Sequence, residues 1–196
     1  MYLSLVFFSK TMFTSPFSLI SKKTEKKLTF FLVTATLLVG YCMCYFDKFL
    51  TNTICKNGII SFQLAKEVTI SEAILNSWST QAKISAGLSI GIDFLYLMIY
   101  PSLIALLIHQ LNKKLWSNHS FYSFGLIILY LQFFAALFDA IENIGLIQLL
   151  LGNITQFWTS IAYYFAAIKF ILIAIGIIYI LINFILFQKR KANKNE

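Results

Sequence analysis

Two carboxyl groups and an amide, Asp139, Glu142 and Asn143, lie inside segment 121–151, which is otherwise apolar enough to cross a bilayer. Residues three and four apart on a helix share a face, so all three point one way. A carboxylate at a bilayer centre costs about 2.5–3.5 kcal/mol on insertion scales, so that face must turn to protein or to water. Asp93 and Lys169 are the other ionisable residues set deep in apolar runs. Groups of these types can pair as ions, hydrogen-bond a ligand, or hold a proton. Three carboxylates against one ammonium would leave a charge of −2. In a low-dielectric site that imbalance implies that at least one proton is held among Asp93, Asp139 and Glu142 near neutral pH. A proton-coupled carrier uses such a proton, and a passive structural network can contain one too.

The elements that must position these groups follow from the hydropathy pattern. The chain is 59% hydrophobic and 12% charged, where a soluble domain carries about a quarter charged residues. The sequence therefore predicts an all-α membrane protein, an antiparallel four-helix transmembrane bundle with a short outer loop segment. Residues 1–27 read as a cytoplasmic or interfacial N-terminal segment, since the apolar patch at its start has no basic region ahead of it, unlike a cleaved signal. Residues 28–187 form the four-span domain, with spans 28–46, 83–109, 121–151 and 157–187 and an outer loop 47–82. Residues 188–196 form a basic, frayed cytoplasmic tail. In the loop, Asn57-Gly58 is a turn signal. Ser71 to Trp78 reads as a capped short helix, with Trp78 at the membrane interface. The loop is expected to fold back over the bundle mouth. Pro101 is expected to kink the second span.

Basic residues set the topology. Lys10, Lys22, Lys23, Lys26 and Lys27 precede the first span, Lys113 and Lys114 follow the second, and Lys189, Arg190, Lys191 and Lys194 follow the fourth. The other side holds Lys48, Lys56, Lys66 and Lys83. The positive-inside bias places both termini in the cytoplasm, in a bacterial cytoplasmic membrane. The same clustering at segment ends accounts for the formal charge of +8 without a nucleic-acid partner. Cys42, Cys44 and Cys55 include no CxxC; Cys44 could pair with Cys55, although no spacing rule supports it.

At about 1.5 Å per residue, Asp93, Asp139, Glu142 and Lys169 lie about 14–18 Å from the outer ends of their spans, close to one level. Their faces agree as well. Ala86, Ser89, Asp93, Tyr96 and Tyr100 share a stripe on the second span, and Gln132, Ala135, Ala136, Asp139, Glu142 and Asn143 share one on the third. On the fourth span Ala162, Ala166, Lys169, Gly176 and Asn183 line up. Small residues beside polar ones let helices approach and pair those groups. The stripes predict a central cluster with Lys169 between the carboxylates and with Tyr96, Tyr100 and Asn143 as hydrogen-bond partners. Gly87 and Gly91 form a GxxxG pattern away from Asp93, expected to pack against the first span. His109 and His119 are expected to be solvated at the cytoplasmic rim.

With these motifs in hand, the chain resembles an uncharacterised family of small four-span bacterial membrane proteins. The matching stretches are Gly58-Ile59-Ile60-Ser61-Phe62-Gln63-Leu64-Ala65 and Ile74-Leu75-Asn76-Ser77-Trp78. Further matches are Asp93-Phe94-Leu95-Tyr96 with Tyr100, Asp139-Ala140-Ile141-Glu142-Asn143, and Lys169-Phe170. The resemblance covers residues 58–170 and implies the four-span architecture and the polar cluster. It implies no activity. A glutamate is usual in that family where Gln63 stands here, so an acid role in the outer loop does not carry over.

No nucleophile–base–orienter set, phosphate loop or metal-ligand spacing is present, so no catalytic residue, metal or cofactor is assigned. The leading reading is a non-enzymatic, multi-pass protein of the lipid bilayer. In it the cluster organises the bundle and holds a small lipophilic or cationic ligand or a partner's helix. The alternatives are a proton-linked transporter or transport accessory, with Glu142 or Asp139 titrating against Lys169, and a lipid-modifying enzyme with a protonated carboxyl as general acid.

Overall fold

The computed structural model describes residues 14–193. Residues 1–13, which carry most of the interfacial N-terminal reading, and residues 194–196 lie outside the described residues. Six helices follow one another: α1 (Lys22–Asp47), α2 (Ile59–Gln63), α3 (Val68–Ser77), α4 (Thr80–Trp116), α5 (Phe121–Leu150) and α6 (Gln156–Ala192). No strand occurs among the described residues. Helices α1, α4, α5 and α6 are long and apolar enough to cross a membrane.

Local side-chain caps mark three of the six helix starts. Ser21 Oγ accepts from Thr24 N at 3.2 Å, Ser79 Oγ from Ala82 N at 3.2 Å and Thr155 Oγ1 from Trp158 N at 3.5 Å. Each thereby satisfies one of the free N–H groups at its helix start. Helix α4 runs through Pro101 without a break. Helix α6 continues to Ala192, so residues 188–192 are helical rather than frayed. Arg190 holds it down, donating to Leu115 O at 3.0 Å and stacking 4.9 Å above Trp116.

Helix α4 is the centre of the bundle, packing against α1, α5 and α6, and α5 packs along α6. At Gly145 a Cβ would stand 3.2 Å from Ala162 N and from Trp158 O, so the α5 and α6 backbones approach closely there. Helix α1 packs along α4 and forms no comparable interface with α6. Gly87 and Gly91 do not pack against α1: both are exposed, and a Cβ at either position would meet nothing within 4 Å. The α1 contact uses Ile92, Ile99, Leu103 and Leu106, on a different face of α4.

The connection between α1 and α4 is a packed cap. Leu50, Cys55, Phe62, Ile74 and Trp78 form one apolar cluster with Ala82, Ala86, Leu146 and Ala162 of the long helices. Trp78 is 5% exposed, not interfacial; its ring meets Phe62 edge-on and its Nε1 donates to Leu50 O at 2.9 Å. Gly58 adopts φ +52°, and a side chain there would collide with the Asp47 carboxylate, whose Oδ1 accepts from Ile59 N at 2.6 Å. Helix α3 begins at Val68, before the predicted start at Ser71, because its cap comes from elsewhere in the chain. Gln156 at the start of α6 accepts from Val68 N at 2.9 Å and donates to Lys66 O at 3.0 Å. Ser71 instead lies inside the helix, fully buried, 3.3 Å from Thr159 Oγ1. All three cysteines are free. Cys55 is buried against Gly58 O, and burial pushes its thiol pKa up.

Candidate functional site

Each charged side chain of the cluster comes from the middle of a long helix, on the stripe where polar and small residues replace large apolar ones. Helix α5 supplies Asp139, Glu142 and Asn143, α4 supplies Asp93, Tyr96 and Tyr100, and α6 supplies Lys169. All are buried except Tyr96, which is half-buried.

Lys169 is the hub. Its Nζ lies 2.5 Å from Asp139 Oδ1 and 2.6 Å from Glu142 Oε2. The contact with Asp139 is a directed hydrogen bond. The contact with Glu142 is an ion pair that is less well aligned as a hydrogen bond. Tyr100 Oη donates to the second oxygen of Asp139 at 2.9 Å. Asp93 forms no ion pair with Lys169, although it lies within the field of Lys169 and Asp139, and it accepts from Asn143 Nδ2 at 2.9 Å. Tyr96 makes no hydrogen bond to an acid; its ring packs 5.1 Å from that of Tyr100. The predicted residues therefore meet as two linked groups. One is Lys169 with Asp139, Glu142 and Tyr100; the other is Asp93 with Asn143.

A cleft of about 390 Å³ reaches the cluster. Its back is made by Asp93, Tyr96, Tyr100 and Asp139, and Lys169 lies on its α6 side. Thr36 and Met43 of α1 form one flank, Phe170, Ile173 and Ile177 of α6 the other, and Ile59, Ile60 and Gln63 of α2 close one end. Because α1 and α6 do not pack together, the cleft lies between them on the side of the bundle. Glu142 and Asn143 are behind its wall, completely buried.

Sequence reasoning missed two features of the site. Gln63, 5% exposed, and Thr36 both line the cleft, and each has a side-chain oxygen without a hydrogen-bond partner. Their elements carry no polar stripe; the resemblance pointed to the Gln63 position only through the glutamate usual there, and nothing marked Thr36. It also missed a second polar group near the other end of the bundle. His109 is 2% exposed rather than solvated, lies 3.6 Å from Glu25 Oε1 and packs 5.8 Å from the Phe17 ring. Lys113 Nζ reaches the same Glu25 oxygen at 3.0 Å. The signal available was Glu25, an acid amid lysines at the start of α1. His119 is exposed, as expected.

The arrangement can neutralise charge, hold protons and hydrogen-bond a molecule in the cleft. No protein-family model, no curated protein and no solved structure matches this chain.

Proposed function

We propose that this chain is a multi-pass protein of the bacterial cytoplasmic membrane. Its four long helices cross the bilayer antiparallel to one another, with both termini cytoplasmic. The support is the apolar exterior of those helices. Phe30, Leu37, Leu88, Met98, Ile127 and Ile178 are among many large apolar side chains left exposed around the whole bundle, far beyond what a water-soluble monomer presents. Basic residues gather near the junction of α4 with α5 and the end of α6, as the positive-inside rule requires of the cytoplasmic face.

Its function on this reading is to bind a lipophilic molecule bearing a polar end, which reaches the cluster sideways from the bilayer between α1 and α6. The observation that carries this is the cleft itself, apolar along both flanks and polar at its back. Binding sites for small molecules have this character, a mostly apolar hollow of about 300–1,000 Å³ with a few convergent polar groups. A network serving only to hold helices together would be sealed within the packing.

The test is purification in a mild detergent, followed by mass spectrometry of what co-purifies. A bound lipophile is expected from the parent chain and lost from Tyr100→Phe and Ile173→Trp, which alter the back and the flank. If only bulk lipids come with the parent and both variants, the reading fails. A proton flux in liposomes that disappears in Glu142→Gln would favour the proton-linked carrier, and carboxyl-dependent lipid turnover would favour the enzyme.

A further inference from the structure

The polar atoms around the cleft are an unbalanced set, and the imbalance indicates what would complete it. Lys169 is already shared between Asp139 and Glu142. Asp139 has both oxygens engaged, one by Lys169 and one by Tyr100. Asp93, on the same wall, accepts one hydrogen bond and forms none of the ion pairs among the described residues. Gln63 Oε1 at the closed end and Thr36 Oγ1 on α1 are buried without partners. The unmet demand of Asp93 and Gln63 is therefore for positive charge and for hydrogen-bond donors, while the Thr36 hydroxyl can serve either way.

A buried carboxylate without a direct ion-pair partner is costly, whereas a charge-assisted N–H···O bond is among the stronger contacts available in such a place. A bare metal ion does not suit the donor set, since no three acidic, histidine or cysteine residues among those described are grouped to hold one. The flanks, from Met43 and Leu103 to Phe170 and Ile173, suit an unbranched apolar chain.

Resting on the reading of the cleft as a ligand site, we propose that its ligand is a lipophilic primary amine. The ammonium pairs with Asp93, Gln63 accepts from it at the closed end, and the apolar chain lies between α1 and α6.

The experiment uses the full chain in a neutral detergent, radiolabelled dodecylamine, and dodecyl competitors that differ only in the head group. Dodecylamine is expected to bind saturably. Dodecyltrimethylammonium, charged but without N–H donors, should compete weakly, and dodecanoate and dodecanol should not compete. Asp93→Asn should weaken binding about tenfold or more, the value of one hydrogen bond to a charged group. Gln63→Leu lies outside the long helices and should weaken it to a smaller degree, so it keeps the test decisive if Asp93→Asn does not fold. If dodecanol or dodecanoate displaces dodecylamine as well as unlabelled amine does, the cleft binds lipophiles but the amine assignment is wrong. Unchanged dodecylamine affinity in a folded Asp93→Asn variant also overturns it. If none of the probes saturates, both the amine assignment and the ligand-site reading fail.

Discussion

Replacing Lys169 by methionine should be the most damaging single change in the cluster, by an amount the geometry sets. The lysine is 4% exposed and its partners Asp139 and Glu142 are 2% and 0% exposed, so water cannot take its place. Removing one member of a buried ion pair costs about 3–5 kcal/mol, because the other member is left uncompensated. Here two carboxyl groups lose their cation, and only Asp139 keeps a donor, Tyr100. For a chain of this size the loss corresponds to a fall in Tm of about 6–20 °C, at about 2–4 °C per kcal/mol. Asp139→Asn or Glu142→Gln alone should cost less, since Lys169 then retains its other acid. Asp139→Asn added to Lys169→Met should not restore stability, because Glu142 remains buried and unpaired. The triple variant Lys169→Met, Asp139→Asn, Glu142→Gln should recover most of it. Lys113→Met is the control. Its side chain is 43% exposed against 10% for its partner Glu25, so water can take the lysine's place and the loss should be smaller than at Lys169. The assay is thermal unfolding in detergent, followed by tryptophan fluorescence and far-ultraviolet circular dichroism. A Lys169→Met variant that unfolds no earlier than Lys113→Met would refute the reasoning.

Other consequences are simpler to state. Gly176→Ala would place a methyl group 2.6 Å from the Gln132 amide, and crowding of this kind costs about 1–3 kcal/mol. Gly91→Ala meets nothing within 4 Å and should raise stability by up to about 1 kcal/mol through helix propensity. Thermal unfolding of the two variants should thus move in opposite directions. Trp78→Phe would leave Leu50 O buried without its donor, lowering stability by about 1–3 kcal/mol. Maleimide should label Cys44, which is exposed, well before Cys55, which is buried with its thiol pKa raised by that burial. Because a raised pKa means less thiolate at a given pH, Cys55 labelling should lag most near neutrality. Equal rates on the native protein would show that the cap is not packed as described.

The long helices and the faces they turn inward were legible in the sequence for one reason: a continuous apolar run leaves few options for a polar stripe. Asp93, Asp139 and Lys169 fall on such stripes, and the packing brings them into the two groups described. Which acid meets the lysine was not legible. Depth placed all the acids at one level, but rotation of α4 relative to α5 hands Asp93 to Asn143 and leaves Lys169 to Asp139 and Glu142.

Where a residue's surroundings come from a distant part of the chain, local pattern misled. Trp78 reads as interfacial until Phe62 and Leu50 fold over it. His109 reads as solvated until Glu25 and Phe17 cover it. The start of α3 reads as Ser71 until Gln156, 88 residues further along the chain, caps Val68. The sequence by itself determined the helical class, the apolar exterior and the supply of buried charge, because those depend only on residue order along each segment. Only the tertiary structure decided that α1 lies along α4 and apart from α6. That spacing opens a cleft onto the charges, and it depends on which helices touch.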